Sequence, residues 1–191
     1  MPIEFHNIDY MTIPYIILIT IWLLLPSYAP NNFAVVFGGG RPIDLGRNFI
    51  DGARLLGDGK TIRGFIAGGV GGVLVAHVQL FIENLLDLSI YSSIAYASFL
   101  GIIMGLAFGA LIGDMAGSFI KRRLKVERGG ILPLLDQLDF LIIALLAASL
   151  STDFFVLFTI PVIIAAFIMT PFLHTLTNLI AYKLGLKKVP W

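Results

Sequence analysis

Ala97-Ser-Phe-Leu-Gly-Ile-Ile-Met-Gly-Leu-Ala-Phe-Gly-Ala-Leu-Ile-Gly-Asp-Met-Ala-Gly-Ser-Phe-Ile-Lys-Arg-Arg-Leu-Lys125 is apolar or small up to Gly113, then acidic at Asp114 and strongly basic from Lys121. An uncharged run of ~20 residues crosses a hydrocarbon core of ~30 Å as a helix, and only helices or closed barrels satisfy every backbone polar group there. The run from 94 to 113 is therefore read as a transmembrane helix with its basic end in water. Four more apolar stretches fall at 11 to 29, 65 to 82, 132 to 151 and 154 to 180. The alternating pattern of a membrane barrel is absent. Hydrophobic residues make up 58% and charged residues 13% of the chain, and mean hydropathy is +0.92. That charged share is about half of an ordinary soluble domain's, which excludes a water-soluble fold. The expected fold is all-α: a polytopic integral membrane protein of about five transmembrane helices, one catalytic domain over 1–191, with functional loops at about 30–64 and 114–131.

All 13 lysines and arginines lie at 41–63, 121–128 and 183–188, whereas Glu4, Asp9, Glu83, Asp87 and Asp153 stand without cations in the other connections and the amino terminus. Cations near membrane ends stay inside. The amino terminus is thus expected outside, and both basic loops and the carboxyl terminus in the cytoplasm, with the active site facing the cytoplasm at the cell membrane. The first apolar segment has no basic stretch before it and no convincing small-residue cleavage site, so it reads as a retained helix. There are no cysteines, hence no thiol chemistry. The net charge is +1, and no nucleic-acid partner is expected.

In the first loop Gly38, Gly39 and Gly40 precede Arg41. Glycine lets backbone N–H groups approach an anion, and arginine adds a fork of donors for phosphate. Leu45, Phe49, Ala53 and Leu56 then recur at helical spacing opposite Arg47, Asp51, Arg54 and Asp58, which predicts an interfacial helix lying on the membrane. Gly59-Lys60-Thr61 matches the end of a P-loop, but Arg54 stands where that motif needs its first glycine and no buried strand precedes it. Lys60, Thr61 and Arg63 still place donors at the start of a membrane helix, where a triphosphate fits.

Gly64, Gly68 and Gly72, and then Gly101, Gly105, Gly109, Gly113 and Gly117, repeat every four residues. This spacing lets membrane helices approach closely, within the chain or in a homodimer. Because fours drift by about 40 degrees at 3.6 residues per turn, the long row is not expected to form one straight seam.

Asp114 ends the third span, and Asp136 and Asp139 lie within two turns of the start of the fourth, so all three acids are expected at one depth. Asp136 and Asp139 share a helix face ~5 to 6 Å apart. At the edge of hydrocarbon such a pair calls for a cation, and oxygen-only ligands favour Mg2+ or Mn2+ together with substrate phosphates. The alternative is that Lys121, Arg122 or Arg128 serves as counter-ion.

The run Ser118-x-x-Lys121-Arg122, followed by Gly129-Gly130 and Asp136-x-x-Asp139, resembles the signature of the CTP:phosphatidate cytidylyltransferases, and Lys60-Thr61-Ile62-Arg63-Gly64-Phe65 resembles a second segment of theirs. Arg128 replaces the family's histidine, Gln137 its arginine and Arg63 its glutamate, and the gap before Asp136 is longer. These departures, with the run from Phe37 to Asp44, are similar to the archaeal branch, the CDP-archaeol synthases. The resemblance implies that the phosphate of 2,3-bis-O-geranylgeranylglycerol 1-phosphate attacks the α phosphorus of CTP and releases pyrophosphate. It implies Mg2+ (or Mn2+, with room for a second cation) on Asp114, Asp136 and Asp139. Gly38, Gly39, Gly40, Arg41, Asp58, Lys60, Thr61, Arg63 and Ser118 are assigned to the nucleotide and its phosphates. Lys121 and Arg122 are assigned to the lipid phosphate or the leaving pyrophosphate. Two rivals share parts of this pattern: a CTP-dependent polyprenol or phytol kinase, and a cation-coupled transporter. His77, Gln79 and His174 read as helix-to-helix hydrogen bonders, and Pro161 and Pro171 as kinks.

Overall fold

The computed structural model describes residues 13–126, 130 and 132–183. Glu4, Asp9, Arg128, Gly129, Lys187 and Lys188 lie outside the described residues. The described chain is helical, with isolated bridges Pro42 to Thr61 and Asn48 to Arg54 as its only extended pairing. Its elements are α1 (Ile13–Phe37), α2 (Ile62–Leu86), a 3-10 turn (Tyr91–Ser93), α3 (Tyr96–Arg123), α4 (Leu135–Ala148), α5 (Phe154–Leu157) and α6 (Ile160–Lys183). Three of them, α1, α2 and α3, are long and apolar enough to cross a membrane.

Helix α1 runs on through Pro26 and Pro30 to Phe37, so the first loop starts later than the expected residue 30. Pro26 has no N–H for the carbonyl of Trp22 four residues earlier. Gln79 of α2 supplies the missing donor, with Nε2 2.7 Å from that carbonyl oxygen. The predicted fifth span is two helices, because Pro161 likewise cannot bond back to Leu157; α5 stops there and α6 starts at Ile160.

Both glycine rows are taken up within the chain. Gly64, Gly68 and Gly72 let α2 approach the carbonyls of Ala34, Pro30 and Pro26 on α1, and the α3 row from Gly101 to Gly117 faces α4 and the turn after it. A side chain at Gly109 would meet the Ala144 backbone at 2.8 Å. The row drifts as four-residue spacing requires and α4 follows it, so all five glycines do share one winding seam. Both rows thus have close partners within the chain.

At the end of the bundle where α2 meets the 3-10 turn, Glu83 is fully buried. Its carboxylate accepts from Trp22 Nε1 at 2.8 Å, Ile90 N at 3.2 Å and Ser92 N at 3.0 Å. Glu83, expected in the connection after the second span, thus lies within α2.

Candidate active site

The connection between α1 and α2 contains no helix, contrary to the amphipathic spacing of Leu45, Phe49, Ala53 and Leu56. Asp44 overrides that periodicity. Its side chain, 1% exposed, accepts from Gly46 N, Leu56 N and Gly57 N at 3.0, 3.1 and 2.9 Å, and from Arg54 Nε and Nη2 at 3.2 and 2.9 Å. Gathering amides twelve and thirteen residues ahead closes the chain into a loop, and Gly46, Gly52 and Gly57 take left-handed φ angles that no helix accommodates. The Arg54 guanidinium, with those amides, holds the Asp44 carboxyl well below the usual carboxylate range.

Arg123, in the last turn of α3, docks this loop. Its Nη2 donates to the carbonyls of Ala53 at 3.2 Å and Arg54 at 2.6 Å, its Nε lies 2.6 Å from Asp51, and its guanidinium covers the rings of Phe49 and Phe119 at 5.0 and 4.4 Å. Bonds from Ile43 N to Lys60 O (2.8 Å) and from Ile62 N to Arg41 O (3.1 Å) then fix where the loop returns. Thr61 caps α2, its Oγ1 accepting from Gly64 N at 3.0 Å.

So held, Lys60 pairs with Asp114 of α3. Across the α3–α4 seam Lys121 Nζ donates to both oxygens of Asp136, at 2.9 and 2.8 Å, and Leu132 N adds a third bond at 3.0 Å. Asp139 packs its carboxylate against Gly117, where any side chain would collide with it. It accepts Phe140 N at 2.6 Å and has no ion pair among the described residues. Carboxylates ~5 to 6 Å apart repel by ~3 kcal/mol at an effective dielectric of ~20, and Asp139 meets that repulsion without a direct ion pair among the described residues.

Asp114, Asp136 and Asp139 all line one cavity of about 960 Å³, together with Gly39, Asp58, Gly59, Lys60 and Thr61. The apolar part of its wall is built from Ile21, Leu25, Leu111, Phe140 and Leu173. The three acids, Lys60 and Thr61 thus share one cavity lining. Gly38, Gly40, Arg41, Arg63, Ser118, Lys121 and Arg122 do not line the cavity; Lys121 reaches it only through Asp136, and Arg41 and Arg63 are exposed. Asp58 is held by Arg54 at 2.8 Å.

Three oxygen donors beside a phosphate-sized space suit a hard divalent ion by donor type. Among the described residues no three acids already converge as a finished cage. Lysines occupy two of the three carboxylates.

Sequence reading missed Asp44, Arg54 and Arg123 as the frame of the loop. The Asp44-Leu-Gly46 pattern, an aspartate two residues before a glycine amide, is the one local signal that pointed to Asp44. It also missed the wall residues Asn31 and Asn32 of α1 and the bond between Tyr28 Oη and Thr170 Oγ1 at 2.8 Å, which ties α1 to α6 beside the cavity.

Comparison with known proteins places this geometry. Residues 13–191 match the family described as CarS-like, CDP-archaeol synthase. The CDP-archaeol synthase of Archaeoglobus fulgidus is 57% identical over 176 residues, covering 92% of this chain and 98% of its own. That of Methanospirillum hungatei JF-1 is 49% identical, over 88% of this chain and 100% of its own. A solved structure described as an intramembrane enzyme for archaeal membrane lipids biosynthesis superposes with a TM-score of 0.65 at 41% identity, over 85% of this chain and 94% of that one. The chain belongs to the CDP-archaeol synthase family.

Proposed function

We propose that this chain is a CTP-dependent cytidylyltransferase that activates an isoprenoid glycerol phosphate, 2,3-bis-O-geranylgeranylglycerol 1-phosphate, to its CDP-lipid. The observation that carries the reading is the cavity itself, lined by carboxylates and Lys60 and also by apolar side chains of the helices. A phosphate oxygen of the lipid forms a bond to the α phosphorus of CTP, the bond from that phosphorus to the β-bridging oxygen breaks, and pyrophosphate leaves with its electron pair. The nucleophile is already anionic, so the protein's task is to align two anions and offset their repulsion. Asp114, Asp136 and Asp139 would hold Mg2+ (or Mn2+, with a second cation accommodated), which supplies charge neutralisation on the triphosphate. Lys60, on its anchored loop, donates to phosphate oxygens. Gly39 and Gly40, at φ +93 and +78, leave the backbone beside the cavity open to a close-lying phosphate. Lys121 serves the lipid phosphate or the leaving pyrophosphate.

The topology in this reading has five crossings, with the amino terminus outside and the cavity opening to the cytoplasm, supported by the confinement of Lys and Arg to alternate connections. Helix α4, at 14 residues, rises ~21 Å and needs the turn after it to complete its crossing. Single thiols added at Ile50, 94% exposed, and at Asp87 report sidedness cleanly, since the chain has no cysteine. Labelling of Ile50→Cys by an impermeant reagent from outside would invert the topology. For the reaction, CTP labelled at the α phosphate delivers label to lipid. Transfer from the γ phosphate instead identifies a kinase, and cation flux without turnover a transporter.

A further inference from the structure

The two lysines of the site are not free to meet a phosphate. Lys60 is paired with Asp114 and Lys121 with Asp136, and each pair is half-buried, with side-chain exposures of 25% and 32% in the first and 17% and 20% in the second. We propose that Lys60 and Lys121 are resident counter-ions that keep the carboxylates closed to a lone divalent ion and release them only when a triphosphate arrives to receive the ammonium groups. This rests on the functional reading above and adds to it an order of binding: metal and nucleotide enter as one unit.

The argument is one of charge and place. Three carboxylates and two ammonium groups leave a single net negative charge, so a divalent ion arriving alone turns the cluster positive and competes with an ammonium group for its carboxylate. Asp136 makes the exchange explicit: both of its oxygens accept from Lys121 and one also from Leu132 N. A carboxylate with both oxygens engaged by one ammonium group must give up part of that pairing before it can bind a metal in its place. A triphosphate supplies alternative acceptors, because ammonium to phosphate is as good a charge-assisted bond as ammonium to carboxylate. Asp139, without an ion pair, is then the standing point of attraction. By linkage, whatever the nucleotide adds to metal affinity the metal adds to nucleotide affinity.

Mn2+ titrations followed by electron paramagnetic resonance on the purified protein test this without turnover. In the wild type, α,β-methylene-CTP should tighten Mn2+ binding at least tenfold, a typical size for coupling between sites. Lys60→Met and Lys121→Met, which keep the stem volume, should each bind Mn2+ alone on the order of tenfold more tightly than wild type and lose most of the analogue's enhancement. Lys60→Arg, which restores the charge, should return Mn2+ binding to the weak wild-type level. Methionine variants that bind Mn2+ alone no better than wild type, or a wild type indifferent to the analogue, overturn the proposal. Should Lys121→Met fail to fold, the Lys60 variants and the wild-type coupling still decide it. Label transfer from α-labelled CTP by the wild type is scored separately, so that failure of the chemistry and failure of the counter-ion exchange are distinct results.

Discussion

The bundle holds carboxylates at both ends, fully buried at one and half-buried at the other, and treats them in opposite ways. Glu83, ~32 Å along α2 from its first turn at 1.5 Å per residue, is met by three neutral donors fixed in place, an indole N–H and two backbone amides. Asp114 and Asp136 are met by lysines on long stems, and Asp139 by a single amide. Fixed neutral donors satisfy a charge with no alternative arrangement. Mobile ammonium groups satisfy it provisionally, which is what a site that must accept other ions requires. The first end is built for stability and the second for exchange, and buried polar groups are costly in both.

The largest effect expected from breaking this contrast is at Asp139. Asp139→Asn should lower turnover by ~10³-fold or more, the scale of removing a preorganised electrostatic group. Thermal unfolding of the same variant should occur at the wild-type temperature or higher, because a neutral isostere relieves repulsion from Asp114 and Asp136. Loss of both activity and stability would make Asp139 a structural residue like Glu83.

Glu83→Leu is the converse. It strands the Trp22 indole and two amides, costing about 3 kcal/mol and lowering the unfolding temperature by roughly 6–12 °C. Label transfer per folded molecule should stay near wild type. A large kinetic defect in correctly folded protein would show that the two ends are coupled and would end the division of labour.

What could be read beforehand follows the range of the forces involved. The spans were legible because hydropathy is a local sum; the run before Asp114 is apolar whatever packs against it. The meeting of Asp114 with Asp136 and Asp139 was legible because two helices joined by a short loop return to one depth. The shape of the first loop was not, since Leu45, Phe49, Ala53 and Leu56 carry a helical period that Asp44 cancels through bonds to Leu56 and Gly57, partners twelve and thirteen residues away. Nor was the burial of Glu83 legible, because its donors come from Trp22, on another helix, and from backbone amides beyond a turn. Nor could the glycine rows name their partners, which proved to be α1 and α4.

Asp44 sharpens the contrast from outside the bundle, since it combines an ion pair with fixed amides. Its folded pKa is depressed, so the stabilisation it gives the loop is complete above the ordinary carboxylate pKa of ~3.9 and is lost only as pH falls below that, through the lower folded value. Protease resistance of residues 44–58 should therefore be flat at neutral and mildly acidic pH and decline below about pH 4. Asp44→Asn should be cut readily at every pH, with KM for CTP raised and KM for lipid unchanged, because the loop carries Lys60 and the apolar wall does not depend on it. Equal rises in both would mean that the loop shapes the lipid side too.

The smallest effect is expected in the wall of the cavity, at the bond from Tyr28 to Thr170. Both hydroxyls can serve as donor or acceptor, so this link has neither the rigidity of the Glu83 cluster nor the charge of the aspartate corner. Tyr28→Phe leaves the ring in its edge contact with Phe140, 6.0 Å between centroids, and Thr170, 1% exposed, can turn its hydroxyl to a carbonyl of its own helix. The cost is then about 0.5–1 kcal/mol. Because α1 and α6 flank the apolar wall, the change should appear as a shift of up to about threefold in KM for the lipid phosphate, with KM for CTP and Mn2+ affinity untouched. A change in Mn2+ affinity instead would carry the exchangeable corner further into the bundle than its three aspartates.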